Sequence, residues 1–296
     1  MNAAQFQQLL THEIKQMCHI ALTEDLAGEG NPDITAELIS PATTATATLI
    51  SREAGILCGT AWVEQVFELL GNDVSISWQT ATGHRVKDGD PISANQTLCT
   101  LKGNARSLLT GERSAMNFLQ TLSATATRTA QYLQQISHTQ CQLLDTRKTI
   151  PGMRFGQKYA VSCGGGTNHR LGLSDAYLIK ENHIMACGGI QAALATAINN
   201  HPDKLLEIEV ENLEELSQAL NGKAQVIMLD NFSLSDMQAA IQIRNQHSNQ
   251  AKLEASGNIS LSTIAKIAET GVDFISVGAL TKNIEAMDLS MRIILE

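Results

Sequence analysis

Residues 206–231 read LEIEVENLEELSQALNGKAQVIMLDN, and they contain one full structural period. LEIEVEN and VIMLDN are short runs of strand length, and LEELSQALNG between them has the spacing of an amphipathic helix. Strand, helix and strand in so few residues make a βα unit. Working outward, the same alternation recurs in LLDTRK, AYLIKEN, KLEASGN and FISVGA, with helices such as GIQAALATAINN and STIAKIAETG between them. The six runs begin about 20 to 34 residues apart and read as apolar throughout, as parallel strands covered on both faces do. A complete eight-unit barrel takes about 250 residues, whereas only about 150 follow residue 140. The spacing predicts a shortened α/β barrel of six or seven parallel strands. An open doubly wound sheet is the alternative.

Upstream the pattern differs. Phe6, Leu9, Leu10, Ile14, Met17 and Ala21 form a helical apolar stripe, TATATLI and VSISW alternate as half-buried strands, and TAWVEQVFELLG is a helix between them. Residues 1 to about 110 therefore read as a small α+β domain. A long helical segment runs from Ser107 to Ile136, with a break predicted at TLSAT, where Ser and Thr cluster.

The chain has 21 Lys and Arg against 30 Asp and Glu, a net charge of −9, which argues against a nucleic-acid binder. The N-terminus lacks the features of a secretory signal, and no apolar run is long enough to span a bilayer, so a cytoplasmic protein is expected. Six cysteines without a C-x-x-C pair suggest neither a zinc site nor a disulfide framework, and read mostly as small buried side chains.

Against that acidic background, residues 145–183 hold six cations (Arg147, Lys148, Arg154, Lys158, Arg170, Lys180) and three acids (Asp145, Asp175, Glu181). A basic island of this kind implies an anionic ligand. Every one of the six runs also ends in polar or glycine residues: Arg147 and Lys148, Lys180 with Glu181, Glu209, Asp230, Ser256 with Gly257, and Gly278. In parallel α/β folds these strand ends form one rim, where ligands bind. Arg and Lys there, with His169 and Arg170 from the first connecting loop, suit carboxylates and phosphates. Ser256, Gly257 and Gly278 let backbone N–H groups approach a phosphate. Glu209 and Asp230 suit either a divalent metal with ribose hydroxyls or stabilisation of a cationic transition state. The expected ligand is long, anionic at both ends and hydroxylated between.

The glycines of CGGGTNHR read either as a phosphate cradle or as a tight turn, since neither the P-loop nor the dinucleotide order of residues is present. His183 reads as a metal ligand or, in preference, as a structural hydrogen-bonding residue, and Arg154, Lys158 and the acidic face of ENLEEL read as solvated surface. Arg113, one turn into an apolar helix, and Arg52, after a strand, each call for a partner such as an anion or a neighbouring subunit.

Taken in order, ALTEDL, DIT, GERSAMNFLQ, LLDTRKTIPG, KYAVSCGGGTNHRLGLSDAYLIKENHI, EIEVENLEEL, IMLDNF, EASGNI and GVDFISVGALTK resemble the quinolinate phosphoribosyltransferase family, the decarboxylating nicotinate-nucleotide pyrophosphorylases of NAD biosynthesis. The resemblance implies an N-terminal α+β sandwich domain over residues 1–115, joined by the C-terminal segment 284–296, and an incomplete α/β barrel over 116–283. It also implies dimers, or multiples of dimers, that share active sites. Arg147, His169, Arg170 and Lys180 would hold the quinolinate carboxylates, with Arg113 and Arg52 reaching in from the partner subunit. Lys148 would contact 5-phosphoribosyl 1-pyrophosphate, Glu209 and Asp230 its ribose and Mg²⁺, and Ser256, Gly257, Gly278 and Lys282 its 5′-phosphate. On this resemblance Lys148, Glu209 and Asp230 are the catalytic residues. Pro32 in EGNPDIT departs from the family pattern, at a turn that carries none of these groups. The rival readings are a phosphoribosyltransferase for another pyridine carboxylate such as nicotinate, and a noncatalytic anion-binding barrel.

Overall fold

The structure, a computed structural model, describes residues 2–296. By internal contacts the chain forms two compact units: Met1–Ala130 with Thr149–Gly165 and Thr281–Glu296, and Gln131–Lys148 with Gly166–Leu280.

In the first unit, strands β1 (Thr44–Ser51), β2 (Gly55–Ile56), β3 (Val74–Ser77), β4 (Pro91–Ile92), β5 (Thr97–Asn104) and, numbering along the whole chain, β12 (Leu289–Leu295) accompany α-helices and a short 3-10 helix (Ala36–Leu38). The four-stranded sheet runs β12-β1-β5-β3, and β2 pairs with β4 in a separate ribbon. Alternation along β1 buries Ala45, Ala47, Leu49 and Ser51 on one face, the period-two pattern of a half-buried strand. The C-terminal strand pairs with it antiparallel from Ala45↔Leu295 to Ser51↔Leu289. The α-helices are α1 (Ala3–Asp25), α2 (Thr60–Leu69), α3 (Ala105–Ile136) and α4 (Arg154–Cys163).

Two sequence readings need correction here. The break at TLSAT does not occur, and α3 is continuous over 32 residues. The hydroxyls of Thr125 and Thr129 are satisfied inside the helix, donating to the carbonyls of Thr121 and Thr125 at 3.3 and 2.8 Å, so they do not interrupt it. Lys158 is fully buried rather than solvated. Helix α4 buries Gly156, Gln157, Lys158, Ala160 and Val161, which between them face several directions around its axis.

The second unit is built on six parallel strands: β6 (Gln142–Leu144), β7 (Tyr177–Ile179), β8 (Leu206–Val210), β9 (Val226–Asp230), β10 (Lys252–Ser256) and β11 (Phe274–Ser276). Helices α5 (Glu181–Cys187), α6 (Ile190–Asn200), α7 (Leu213–Asn221), α8 (Leu234–Gln246), α9 (Ile264–Ala268) and α10 (Ala279–Lys282) complete the chain. The sheet order is β6-β11-β10-β9-β8-β7. The first strand pairs with the last and every other neighbour is consecutive, which is the cyclic order of a barrel opened between its first two strands. A doubly wound sheet would instead reverse its order at a switch point. Beside β6, Thr167 forms a single parallel bridge to Leu144, so one residue stands where a further strand would run. The fold is an incomplete six-stranded α/β barrel.

The strand registers show where the sequence reading was too simple. Glu209, Met228, Glu254 and Phe274 lie level across β8 to β11, and in parallel strands such neighbours project to the same face. Alternation adds Glu207, Asp230 and Ser256 to that face. The other face carries Ile208, Val210, Ile227, Leu229, Leu253 and Ala255, all fully buried. The strands are apolar on one side only; the opposite side carries carboxylates.

Candidate active site

The carboxyl ends of the strands bring together Arg147, Lys148, His169, Arg170, Lys180, Glu209, Asp230, Ser256, Gly257 and Gly278, all within the second unit. Asp145, fully buried at the end of β6, organises the first part of this rim. One carboxylate oxygen accepts the His169 N–H at 2.9 Å and the other accepts the Asn168 amide at 2.7 Å. The loop that carries His169 and Arg170 is thereby fastened beside Arg147 and Lys148. The Thr146 hydroxyl accepts the Lys148 N–H at 3.1 Å, and the Lys148 stem crosses Gly278, where an added Cβ would lie 2.9 Å from Lys148 Cδ.

Arg147 and Arg170 form a pair of neighbouring like charges. Burial and then the Arg147 guanidinium hold Arg170 below its ordinary pKa. Arg170 donates to the Ala176 carbonyl at 3.3 Å, while Arg147 Nε is buried without a hydrogen-bond partner among the described residues. A buried orphan donor on a cation beside a second cation suits an anion. Lys180 Nζ makes a short contact with the Glu209 carboxylate. His183 Nδ1 accepts the Lys180 N–H at 3.0 Å, the structural role expected for it.

Beneath these groups His169 enters the interior. Nε2 lies 3.0 Å from Glu207 and 3.5 Å from Glu254, and both carboxylate side chains are no more than 2% exposed. Burial works against a charged ring, but hydrogen bonds and charge from Glu207 and Glu254 override it and raise its pKa to about 10. The backbone contact points the other way, because the Arg170 N–H donates to Nδ1 at 2.7 Å and an Nδ1 proton would oppose it. The geometry decides: Nδ1 accepts and Nε2 carries the proton. Burial and the neighbouring Glu254 push Glu207 up to about 7.

At the far side of the rim the backbone is strained. Asn231 (φ 55°), Gly257 (φ 103°) and Asn258 (φ 49°) all occupy the left-handed region, and such residues cluster at ligand sites. A Cβ on Gly257 would meet Asn231 Oδ1 at 2.2 Å. Asn231 N–H donates to the Ser256 carbonyl at 2.9 Å, and the Asn258 amide donates to Asn231 Oδ1 at 3.3 Å. The Asn231 amide in turn donates to Asp230 at 2.9 Å. In CGGGTNHR the turn reading holds for Gly164, where a Cβ would meet the Ala126 carbonyl at 2.3 Å; this glycine permits close packing on α3.

Arg52, Arg113 and Lys282 belong to the first unit. Arg52 donates to Asn95 at 3.5 Å. Arg113 is exposed on a helix whose neighbouring residues Ser114, Ala115 and Met116 are buried, and Lys282 is exposed as well. The cysteines are more varied than expected: Cys18, Cys58 and Cys99 are buried, Cys141 and Cys163 are half-buried, and Cys187 is exposed.

A six-stranded barrel with cations, carboxylates and a strained glycine turn at its carboxyl rim defines an enzyme for polyanionic substrates. The chain belongs to the quinolinate phosphoribosyltransferase family. Residues 33–123 match the model of the quinolinate phosphoribosyl transferase N-terminal domain, and residues 125–292 match that of the C-terminal domain. A probable nicotinate-nucleotide pyrophosphorylase (carboxylating) of Synechocystis is 42% identical over 83% of this chain and 81% of its own length. The nicotinate-nucleotide pyrophosphorylase (carboxylating) of Mycobacterium leprae is 39% identical over 92% of this chain and 94% of its own. The solved nicotinate-nucleotide pyrophosphorylase of Francisella tularensis is 47% identical, covers 96% of both chains and superposes with a TM-score of 0.89.

Proposed function

We propose that the chain transfers the phosphoribosyl group of 5-phosphoribosyl 1-pyrophosphate to the ring nitrogen of quinolinate with decarboxylation, giving nicotinate mononucleotide, pyrophosphate and CO₂. The observation that carries this reading is the Arg147–Arg170 pair with its buried unpartnered Nε. Two polyanions must be held within bonding distance, and like charges at about 4 Å repel by about 4 kcal/mol at a surface-like dielectric. Cations between them offset that repulsion.

Arg147, Arg170 and Lys180 bind the two quinolinate carboxylates, and His169 supports them. Lys148 reaches the pyrophosphate, while Ser256, Gly257 and Gly278 receive the 5′-phosphate through backbone N–H groups. As pyrophosphate departs with the C1–O electrons, C1 gains oxocarbenium character, which Glu209 and Asp230 stabilise electrostatically. The pyridine nitrogen lone pair then forms the new bond. The resulting cationic ring accepts the electron pair left when the 2-carboxylate departs as CO₂, and a proton replaces it at C2. Glu209 and Asp230 offer hard carboxylate oxygens of the kind that hold Mg²⁺ with substrate phosphates, and that ion when bound neutralises charge on the departing pyrophosphate.

We propose further that the active form is a homodimer or a multiple of dimers, in which Arg113 and Arg52 serve the neighbouring subunit's site. Exposed Arg113, beside the buried Ser114, Ala115 and Met116, supports this. A cytoplasmic location suits the six free cysteines. Among the described residues no helix is long and apolar enough to cross a membrane.

Incubation with quinolinate, 5-phosphoribosyl 1-pyrophosphate and Mg²⁺ tests the reading. Nicotinate mononucleotide is the expected product, and its absence with folded protein would contradict the proposal.

A further inference from the structure

Barrel interiors of this kind are ordinarily filled by layers of branched apolar side chains. Here one interior layer is charged. Glu207 on β8, Glu254 on β10 and His169 from the first loop place their polar atoms within 4.8 Å of one another, with the two glutamates essentially out of solvent. Glu254 Oε1 has no hydrogen-bond partner among the described residues. A buried carboxylate pair with an orphan oxygen is costly in any protein core, so this layer departs from what stability alone would select.

Its connections run to the rim. Nε2 of His169 is held by Glu207 and Glu254, its Nδ1 receives the Arg170 N–H at 2.7 Å, and its own backbone N–H is held by Asp145 at 2.9 Å. Both ring nitrogens are therefore engaged inside the protein, and the ring fixes the backbone from which the Arg170 guanidinium projects. The layer also puts negative charge beneath Arg147, Arg170 and Lys180. Two strand positions, 207 and 209, divide the work: Glu209 faces the rim with Lys180, and Glu207 lies one step deeper with the imidazole.

We propose that Glu207, Glu254 and His169 form a buried positioning layer that aims Arg170 and balances the rim cations, so that its integrity sets affinity for the quinolinate dianion. His169 is then a positioning residue that acts through Arg170, rather than a direct carboxylate ligand. The inference rests on the quinolinate reading above.

Steady-state kinetics with quinolinate and 5-phosphoribosyl 1-pyrophosphate test it, with the unsubstituted protein as the arm that tests the reading itself. If that protein forms no nicotinate mononucleotide, the functional reading fails; if it does, the variants test the layer. Glu254→Gln keeps the shape and removes the charge. The expected result is a rise of about tenfold or more in the KM for quinolinate, the scale at which misplaced binding groups act, with the KM for the cosubstrate and kcat within about threefold. Two further substitutions separate the ring nitrogens. His169→Asn retains an acceptor near Nδ1, His169→Gln retains a donor near Nε2, and both should weaken quinolinate binding because each breaks one half of the relay.

An unchanged quinolinate KM in folded Glu254→Gln protein would overturn the proposal. So would a fall in kcat at constant KM, or a His169→Asn variant that binds quinolinate normally. A stoichiometric metal ion retained through dialysis against EDTA and lost in Glu254→Gln would overturn it as well, since Nε2 would then be a ligand and not a donor. Should Glu254→Gln fail to fold, quinolinate is titrated by calorimetry into the two His169 variants: weakened binding in both supports the layer, and normal binding in either overturns it.

Discussion

Lys180 Nζ rests against the Glu209 carboxylate, joining the cation that follows β7 to an acid near the end of β8. Each neutralises the other in the structure, and under the proposed function each has a separate part in the reaction. A quinolinate carboxylate must therefore compete with Glu209 for Lys180. Glu209→Gln should lower kcat by about 10² or more, the scale for removing one preorganised electrostatic group, while the KM for quinolinate stays the same or falls. Asp230→Asn should lower kcat similarly without the gain in affinity. Near-normal kcat in both variants would remove the assigned role.

Gly257 lies at φ 103° with no room for a Cβ beside Asn231. Gly257→Ala should force the turn after β10 to shift by more than its neighbours can absorb. The expected result is a KM for 5-phosphoribosyl 1-pyrophosphate raised about tenfold or more, with quinolinate binding measured by calorimetry unchanged. Loss of both affinities together would place this turn at a different part of the ligand.

Glu13 is a stability test in the first unit. It is buried on α1, and its two oxygens accept the N–H groups of Phe155 and Gly156 at 2.9 and 2.6 Å, capping the start of α4. Burial raises its pKa and these hydrogen bonds oppose the rise. Glu13→Ala leaves both donors unsatisfied and should cost about 1–3 kcal/mol, read as a lower urea midpoint at unchanged slope.

Asp273, just before β11, accepts from Lys252 Nζ, Arg244 and the Leu253 N–H at 2.7, 2.9 and 2.9 Å. Burial pushes its pKa up, but these hydrogen bonds outweigh burial and leave it below the usual value. A depressed folded-state pKa means that the ionised form contributes stability above the unfolded value of about 3.9, and that this contribution is lost as pH falls through the folded value. Asp273→Asn should cost about 1–3 kcal/mol at pH 7 and should unfold with a shallower acid dependence. Equal acid profiles for variant and parent would contradict this.

Much of this architecture was legible because a βα period leaves a repeated trace. All six barrel strands lie where LLDTRK through FISVGA placed them, and the rim follows from reading each strand end. Sequence could not distinguish a barrel from an open sheet, since that depends on β6 pairing with β11, a contact between residues more than a hundred positions apart. The interior charge was obscured for a different reason. In LEIEV and KLEAS the glutamates look like the solvent side of an alternating strand, yet strands of this kind have no solvent side. An acid at every second position within a βα repeat was the available signal. Lys158 was misread because local charge does not reveal how completely α4 is enclosed. Asn231 and Asn258 gave only the faint signal of Asn beside other turn-forming residues.

The most direct measurement is the ratio of CO₂ to pyrophosphate, using quinolinate labelled at the 2-carboxyl and, in parallel, nicotinate with the same cosubstrate. The account requires one CO₂ for each pyrophosphate with quinolinate, and almost no pyrophosphate with nicotinate, which lacks the second carboxylate. Ready pyrophosphate release with nicotinate, or release with quinolinate unaccompanied by CO₂, would contradict a rim built to hold a dicarboxylate against a pyrophosphate.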